Sequence, residues 1–402
     1  MKIVQINAVY QYSSTGRTTM EMHQSLRARG VDSYVFCTNH HIPNEQVYMI
    51  GNKLDHKLHA LGSRVFGRQG YFSHCATRKM IAHLRHITPD VVILRNLHGN
   101  YVNVPLLLKY LAKEDIATIV VLHDCWFFTG HCCHYTADKC YKWKEECHHC
   151  PILHKYNSSL FFDNSHSIFR MKKELFQKIP RLAVVGVSDW ITNEAKKSPI
   201  FANAKFISRI YNWIDLGKFY PRKDSGLRHD LGLSEKDFVA LGVSQTWDNG
   251  KGLDVIIRTA QQVPNIKVVL VGNKPDLELP PNVICPGSCT SVDKLADYYS
   301  MANVFFNFSI QETFGKAAAE SLACGTPLIV NNATANPELC GDGCGFVIDN
   351  NNKEQMLEAI KSTMIQGKSY YFNRCRDFAE ASFDKERCIE IYMNLFNLMS
   401  NE

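Results

Sequence analysis

Two doubly wound α/β domains are what this sequence predicts, on three observations: its length, an alternation of short apolar runs with longer amphipathic stretches, and one break in that alternation near the middle. A chain of 402 residues exceeds what one hydrophobic core usually serves. Hydrophobic residues at 45% and charged residues at 21% mark ordinary globular composition, which excludes a disordered chain.

The first-half strands predicted from β-branched apolar runs are Ile3 to Ala8, Ser33 to Cys37, Val91 to Leu94, Thr118 to Leu122, Leu182 to Val187 and Lys205 to Ser208. Helical periodicity falls between them at Thr18 to Arg29, Val104 to Ala112 and Ile168 to Lys178. The alternation stops over Ile210 to Pro221. It restarts with strands at Phe238 to Val243, Lys267 to Val271, Val304 to Phe308, Pro327 to Val330 and Gly345 to Ile348. Helices are expected at Leu253 to Gln262, Val292 to Tyr299, Gly315 to Ala323 and Lys353 to Met364. The tail, Ser369 to Met399, is helical, with Cys388, Ile391, Leu395 and Leu398 on one face. The expected division is an N-terminal domain 1–212 with a cysteine-rich insert 125–151, a C-terminal domain 213–380, and a helix 381–402 packing back toward the first domain. Two such domains are expected to face a cleft lined by the carboxyl ends of their strands.

The net charge of +6 conceals an asymmetry. Residues 1–220 hold 28 Lys and Arg against 16 Asp and Glu, whereas residues 221–402 hold 17 against 23. A basic first half suits anionic lipid or a phosphate-bearing acceptor. No nucleic-acid-reading motif accompanies the charge, so no nucleic-acid partner is expected. No apolar run approaches the roughly 20 residues that span a bilayer, and the amino terminus enters a strand rather than a signal-peptide pattern. The expectation is a cytoplasmic protein, peripheral on the inner face of the cell membrane.

Chemistry concentrates where predicted strands run into helices. Gln311-Glu312-Thr313-Phe314-Gly315-Lys316 leads into an Ala-rich helix bearing Glu320. Glu312, ahead of the first turn, can hold sugar hydroxyls, and the backbone N–H groups of Gly315 and Lys316 can face a diphosphate favoured by the helix dipole. An isolated pair of glutamates at this spacing reads equally as acids at a helix start. The segment continues, however, through Ser321-Leu322-Ala323-Cys324-Gly325-Thr326-Pro327 to Val330.

From Glu312 to Val330 the chain resembles the donor-binding signature of the retaining glycosyltransferases of the GT-B fold, in family four. The resemblance implies that Glu312 contacts the donor sugar and Glu320 the ribose, with Phe314, Gly315 and Lys316 on the donor side. Ser244-Gln245-Thr246-Trp247-Asp248-Asn249-Gly250-Lys251-Gly252 is a second match, in which Lys251 suits the diphosphate as a point charge. Many relatives carry an arginine just upstream, and none lies between Gly242 and Lys251; Lys316 is the candidate for the second charge.

On the first domain, Tyr12-Ser13-Ser14-Thr15-Gly16-Arg17-Thr18-Thr19 reads as a small-residue turn opening a helix, with Gly16 and Arg17 placed to close on the donor phosphates; a plain helix cap is the alternative. This form is similar to a subgroup used in bacterial surface polysaccharide assembly. His123, ending a predicted strand, matches a family histidine that touches the transferred sugar, so it is expected to orient donor and acceptor rather than to attack. His98 is a weaker candidate.

Six of the 15 cysteines crowd into Cys125 to Cys150. Cys132, Cys140, Cys147 and Cys150 can give four thiolates to one structural zinc, with Cys133, His134, His148 and His149 as substitute ligands and packed, reduced cysteines as the alternative. The block again resembles the polysaccharide subgroup, which includes colanic-acid-type, capsule and O-antigen transferases.

The resemblance implies a hexosyltransferase-type enzyme (EC 2.4) that transfers sugar with retention from a nucleotide-diphosphate donor and requires no cofactor for catalysis. A lipid-linked saccharide is the expected acceptor, with Tyr71, Phe72, Phe127 and Phe128 as aromatic residues suited to an anionic membrane surface. Two rivals stand: an epimerase or hydrolase of nucleotide sugars on the same architecture, and a non-catalytic glycan- or lipid-binding relative.

Overall fold

The computed structural model describes residues 1–39, 46–223, 226–349 and 352–401. The chain forms two compact units, residues 1–210 with 389–402, and residues 211–388.

The first unit is built on strands β1 (Lys2–Ile6), β2 (Asp32–Cys37), β3 (Val47–Met49), β4 (Val91–Leu94), β5 (Ala117–Leu122), β6 (Leu182–Gly186) and β7 (Phe206–Arg209). They pair in the order β3-β2-β1-β4-β5-β6-β7, every pair parallel. Strands β4, β5 and β6 are buried at every position, which is why they read as unbroken apolar runs. The second unit contains β8 (Phe238–Val243), β9 (Ile266–Val271), β10 (Val283–Gly287), β11 (Val304–Asn307), β12 (Leu328–Asn331) and β13 (Gly345–Ile348), in the parallel order β10-β9-β8-β11-β12-β13. Its core includes Ala240, Val268, Leu270, Phe306, Ile329 and Ile360.

In each sheet the strand order reverses once, between β1 and β4 and between β8 and β11. Crossovers leave such a point in opposite directions, so the loops beyond the strands' carboxyl ends part there and leave room for a ligand.

The sequence misses both lower-numbered edge strands, β3 and β10. The first has three residues, and the second carries Pro286 and a register shift between Ile284 and Gly287. Neither offers a long apolar run, because an edge strand is paired on one side only. Helices Lys53–Phe66, His74–Ile87 and Asp189–Lys196 also escape the sequence reading. The first has a full capping box, Asn52 with Asp55, but its Leu54, Leu58 and Leu61 are exposed rather than buried.

Three further expectations are corrected. Tyr12 to Thr19 is not a turn: the helix starts at Ser13 and runs to Ala28. The chain turns into the helix at Gln11, φ 73°, and at the first helical residue Ser13, φ 60°, and the Thr18 and Thr19 hydroxyls donate to the carbonyls of Ser14 and Thr15 inside the helix. The tail is two helices, Lys368–Phe383 and Lys385–Asn401, parted at Asp384, whose carboxylate accepts from the Arg387 N–H at 2.8 Å. Its last helix buries Cys388, Ile389, Tyr392, Phe396 and Met399 while Ile391 and Leu398 are exposed, so the buried face is rotated from the one expected. Phe127 and Phe128 are buried, against Phe176 and Trp143 respectively, and offer no surface to a membrane.

Gly252 fixes the start of the helix Leu253–Gln262 at φ +74°, and a Cβ there would lie 2.4 Å from the Cβ of Phe308. Gly252→Ala should cost the second unit about 2 kcal/mol or more, read as a lower denaturant midpoint in chemical unfolding.

Candidate functional site

At the reversal point of the second unit, β8 runs into a short 3-10 turn, Asn249–Lys251. The Asp248 carboxylate caps this turn by accepting from the Lys251 N–H at 2.9 Å. From β11 the chain continues through Phe308 and Ile310 to Glu312, and the Ile310 N–H donates to the Gly250 carbonyl at 3.1 Å. The two loops are thereby joined, and the Lys251 ammonium meets the Glu312 carboxylate at 2.7 Å. Two residues 61 positions apart, each singled out from its own motif, make one ion pair. Both are partly exposed, at 38% and 21%, so the pair adds little stability but remains open to a ligand.

A third loop holds Glu312 in place. Its N–H donates to the Thr334 hydroxyl at 2.9 Å, and its carbonyl accepts from the Ala335 N–H at 3.2 Å. Asn336 bridges this loop to β11, accepting from the Asn307 amide at 3.0 Å and donating to the Ser309 carbonyl at 2.8 Å. Thr334 and Asn336 were not found in the sequence, since a threonine and an asparagine after a strand carry no signal of what they will touch.

Gly315, at φ +87°, is the N-cap of the helix Lys316–Ala323 and has no side chain with which to cap it. A Cβ at Gly315 would stand 2.8 Å from Leu339. The helix's positive end therefore opens beside the Lys251–Glu312 pair's own loop, with Lys316 as its first residue. Two predicted donor residues stand differently from expectation. The Phe314 side chain is buried against Tyr211 and Phe383, where it anchors the loop. Glu320 is 4% exposed and accepts from the Tyr299 hydroxyl at 2.8 Å through one of its two carboxylate oxygens.

The reversal point of the first unit gathers a second polar group. Arg95, just past β4, is fully buried and donates to the Gln5 side chain at 3.3 Å and to His123 Nε2 at 2.9 Å. A guanidinium only donates, so His123 Nε2 is an acceptor and its proton resides on Nδ1. Arg95 is thus a positioning residue that fixes the histidine's tautomer. The sequence carried a hint of it, an arginine directly after the fully apolar Val91 to Leu94. Gly16 and Arg17 lie in the first turns of the helix after β1, where Gly16 packs on Val9 and Tyr10.

Beside His123, the Asp124 carboxylate accepts from His98 Nε2 at 2.7 Å and from the Trp126 N–H at 2.8 Å. His98, Asp124 and Cys133 form the trio among the described residues whose potential ligand atoms all lie within 4.8 Å of one another. The hydrogen bond between His98 and Asp124 already accounts for that closeness. The four cysteines proposed as zinc ligands line one small pocket elsewhere in this unit.

Burial pushes the Asp124 carboxyl up, but the His98 charge, the His98 hydrogen bond and the Trp126 N–H together outweigh it and hold it down to about 2. Its folded value is therefore below the ordinary 3.8. The stabilisation it confers is fully present above that pH, is of the order of 2 kcal/mol, and is lost as the pH falls toward about 2. Asp124→Asn should lower stability at neutral pH and flatten the acid limb of a stability-versus-pH curve.

Residues 226–383 match the family profile described as glycosyl transferases group 1. An alpha-galactosylglucosyldiacylglycerol synthase of Streptococcus pneumoniae is 29% identical over 143 residues, covering 31% of this chain and 38% of the synthase. The chain thus spans well under two thirds of that relative's length. A putative colanic acid biosynthesis glycosyl transferase of Escherichia coli is 22% identical over 328 residues, 77% of this chain and 76% of the relative. Among solved structures, a sucrose-phosphate synthase from Thermosynechococcus elongatus superposes with a TM-score of 0.70 at 16% identity, over 99% of both chains. An Anabaena protein solved in complex with UDP and glucose gives 0.67 at 16%, again over 99% of both. Residues 226–383 are accordingly a group 1 glycosyl transferase domain, carried on a chain with the two-domain α/β architecture of the GT-B fold.

Proposed function

We propose that this chain is a retaining glycosyltransferase that moves a sugar from a nucleotide-diphosphate donor to a saccharide acceptor in bacterial surface polysaccharide or glycolipid synthesis. The observation that carries the reading is the Lys251–Glu312 pair at the reversal point of the second unit, on the loop that leads into the glycine-capped helix Lys316–Ala323. An ammonium and backbone N–H groups suit a diphosphate, and a carboxylate suits sugar hydroxyls. On this reading Lys251 leaves Glu312 for the phosphates when the donor arrives, and Glu312 turns to the sugar. Lys316 supplies further positive charge as the diphosphate departs. His123, held in one tautomer by Arg95, orients the sugar and its acceptor. Support for a nucleotide-sugar donor comes from the Anabaena neighbour, whose structure contains UDP and glucose. The reaction as proposed routes no step through a metal.

Donor turnover tests this. Lys251→Ala and Glu312→Gln should each lower kcat/KM at least about 100-fold, the scale of one lost electrostatic contact in a transition state, whereas the surface control Lys236→Ala should not. Unchanged donor affinity in Lys251→Ala would sink the assignment. Release or inversion of sugar from donor alone would favour the epimerase or hydrolase reading, and donor binding without product would favour a non-catalytic relative.

The acceptor proposed is lipid-linked, at an anionic membrane face. Two relatives are named as diacylglycerol glycolipid synthases, and the first unit has a surface suited to lipid. On the helix Lys53–Phe66, Leu54, Leu58 and Leu61 are spaced along one face and exposed at 64%, 57% and 59%. Leu160, Phe161 and Phe162 are exposed nearby, where the Leu160 N–H donates to the Arg64 carbonyl at 2.8 Å and Asn164 to the Phe66 carbonyl at 2.7 Å. Lys53, Lys57, Arg64 and Arg68 are exposed on the same stretch, so an apolar strip carries its own basic charges. The chain should co-sediment with vesicles containing anionic lipid but not with purely zwitterionic ones, and Leu58→Glu with Phe161→Glu should abolish it. A concentration-dependent dimer that the same substitutions break, without vesicle binding, would assign the strip to a second copy instead.

A further inference from the structure

We propose that Cys132, Cys140, Cys147 and Cys150 form a structural zinc site that fastens the irregular segment following β5. The proposal does not depend on the transferase reading, since it concerns how this segment is held.

The first ground is convergence. The four sulfur-bearing residues line one cavity of about 10 Å³ together with His131, Trp143 and Ser165. That is about the room of one small sphere, enough for a single ion and little else. Residues spread over 19 positions of sequence are brought to one point by a segment with almost no regular structure of its own. Between β5 and the helix Ser165–Gln177 the chain makes only two three-residue 3-10 turns among the described residues, Trp126–Phe128 and Lys142–Lys144. A connection of that length without helix or strand is uncommon, and here it is held by irregular contacts such as the Cys125 N–H on the Cys133 carbonyl and Trp143 against Phe128 and Tyr135.

The second ground is the form of the cysteines. All four are free thiols, so no disulfide supplies the fastening. Cys147 and Cys150 bracket a tight two-residue bend whose second residue, His149, sits at φ +45°, and Cys132 and Cys140 come from the preceding loop. The Gly130 N–H donates to Cys147 Sγ at 3.2 Å, an interaction that steadies a thiolate. Gly130 itself tolerates no side chain: a Cβ would stand 2.8 Å from the Cβ of Cys147 and 2.2 Å from the Ser165 carbonyl oxygen.

The third ground is charge. Lys172 is fully buried, its ammonium held by the carbonyls of Trp126 and Thr129 and lying 3.3 Å from the centre of the Trp126 ring. These contacts are neutral, and a buried cation is stabilised when charge nearby offsets it; the Asp124 carboxylate supplies one such charge. Zinc with four thiolates carries two net negative charges, which would add to the charge of Asp124 in offsetting Lys172, with Lys142 on the cavity wall as a second cation. His131 and His148 also line the cavity, but each imidazole in place of a thiolate removes one negative charge from the centre beside Lys172. The charge argument therefore favours the four sulfurs.

On binding, four thiol protons pass to solvent and four Zn–S bonds of about 2.3 Å form, drawing the sulfurs to about 3.8 Å from one another. The ring of sulfurs is wider than that here, because His98, Asp124 and Cys133 are the trio that meets a 4.8 Å limit among the described residues. Loading would tighten the loop, and through Gly130 and Thr129 it would fix the carbonyls that hold Lys172.

The full-length protein, purified without chelator, should contain one zinc per chain by elemental analysis. After stripping, cobalt(II) should restore intense near-ultraviolet sulfur-to-cobalt bands and the visible bands of a tetrahedral site. The double variant Cys147→Ser with Cys150→Ser should lose the metal, while Cys75→Ser, altered at an exposed thiol outside the segment, should keep it. Removing the metal should also lower the melting temperature. If the double variant does not fold, the cobalt spectrum of the natural chain still decides. Folded protein with neither zinc nor cobalt bands would overturn the proposal, as would iron in zinc's place, metal retained by the folded double variant, or a disulfide among the four cysteines.

Discussion

The reversal of strand order inside each parallel sheet is the constraint on which the functional arrangement depends. A parallel strand must be followed by a crossover, and only where crossovers diverge do the loops beyond two adjacent strands part instead of packing over one another. In the second unit those loops belong to β8 and β11, and the Ile310 N–H bonded to the Gly250 carbonyl holds them at one spacing. That backbone bond sets the distance at which Lys251 and Glu312 meet. Gly252 and Gly315, both at positive φ, let each loop turn into its helix without a side chain in the way. The charged pair is thus the outcome of backbone geometry, and its modest exposed stability leaves it free to exchange partners.

The first unit uses the same edge differently. There the polar groups are buried and locked: Arg95 fixes His123, and Asp124 fixes His98 and the turn at Trp126. A buried guanidinium is costly to desolvate, so its bonds to Gln5 and His123 make the orientation of that histidine rigid. The second unit offers an exchangeable ion pair and the first a fixed histidine.

The cysteine segment and the outward-facing leucines are departures from the economy of the two sheets. Neither adds to the sheets' cores. Leu54, Leu58 and Leu61 sit on a well-capped helix, so they are not the residue of poor folding, and exposed apolar side chains gathered beside basic ones are the kind of surface that meets a partner. The cysteines converge on a cavity within a segment that is otherwise closed by irregular contacts, among them the Cys125 N–H on the Cys133 carbonyl and Trp143 packed on Phe128 and Tyr135.

The sequence by itself determined the architecture, because a strand buried on both faces must be apolar throughout and its crossover helix must be amphipathic. Those two periods mark β4, β5, β8 and β9 plainly. It also identified Lys251, Glu312, Gly315 and the cysteine cluster, since strand-to-helix turns and repeated cysteines are local signals. What only the tertiary structure decided is contact. The pairing of Lys251 with Glu312, the burial of Phe314 and Glu320, the grip of Thr334 and Asn336 on the Glu312 loop, and the part played by Arg95 all join segments distant in sequence. The tail shows the physical reason most simply: Ile391 and Leu398 have the right spacing for a core face, yet Ile389, Tyr392, Phe396 and Met399 occupy it. Periodicity states that a face exists, and only packing against neighbours selects which one is buried.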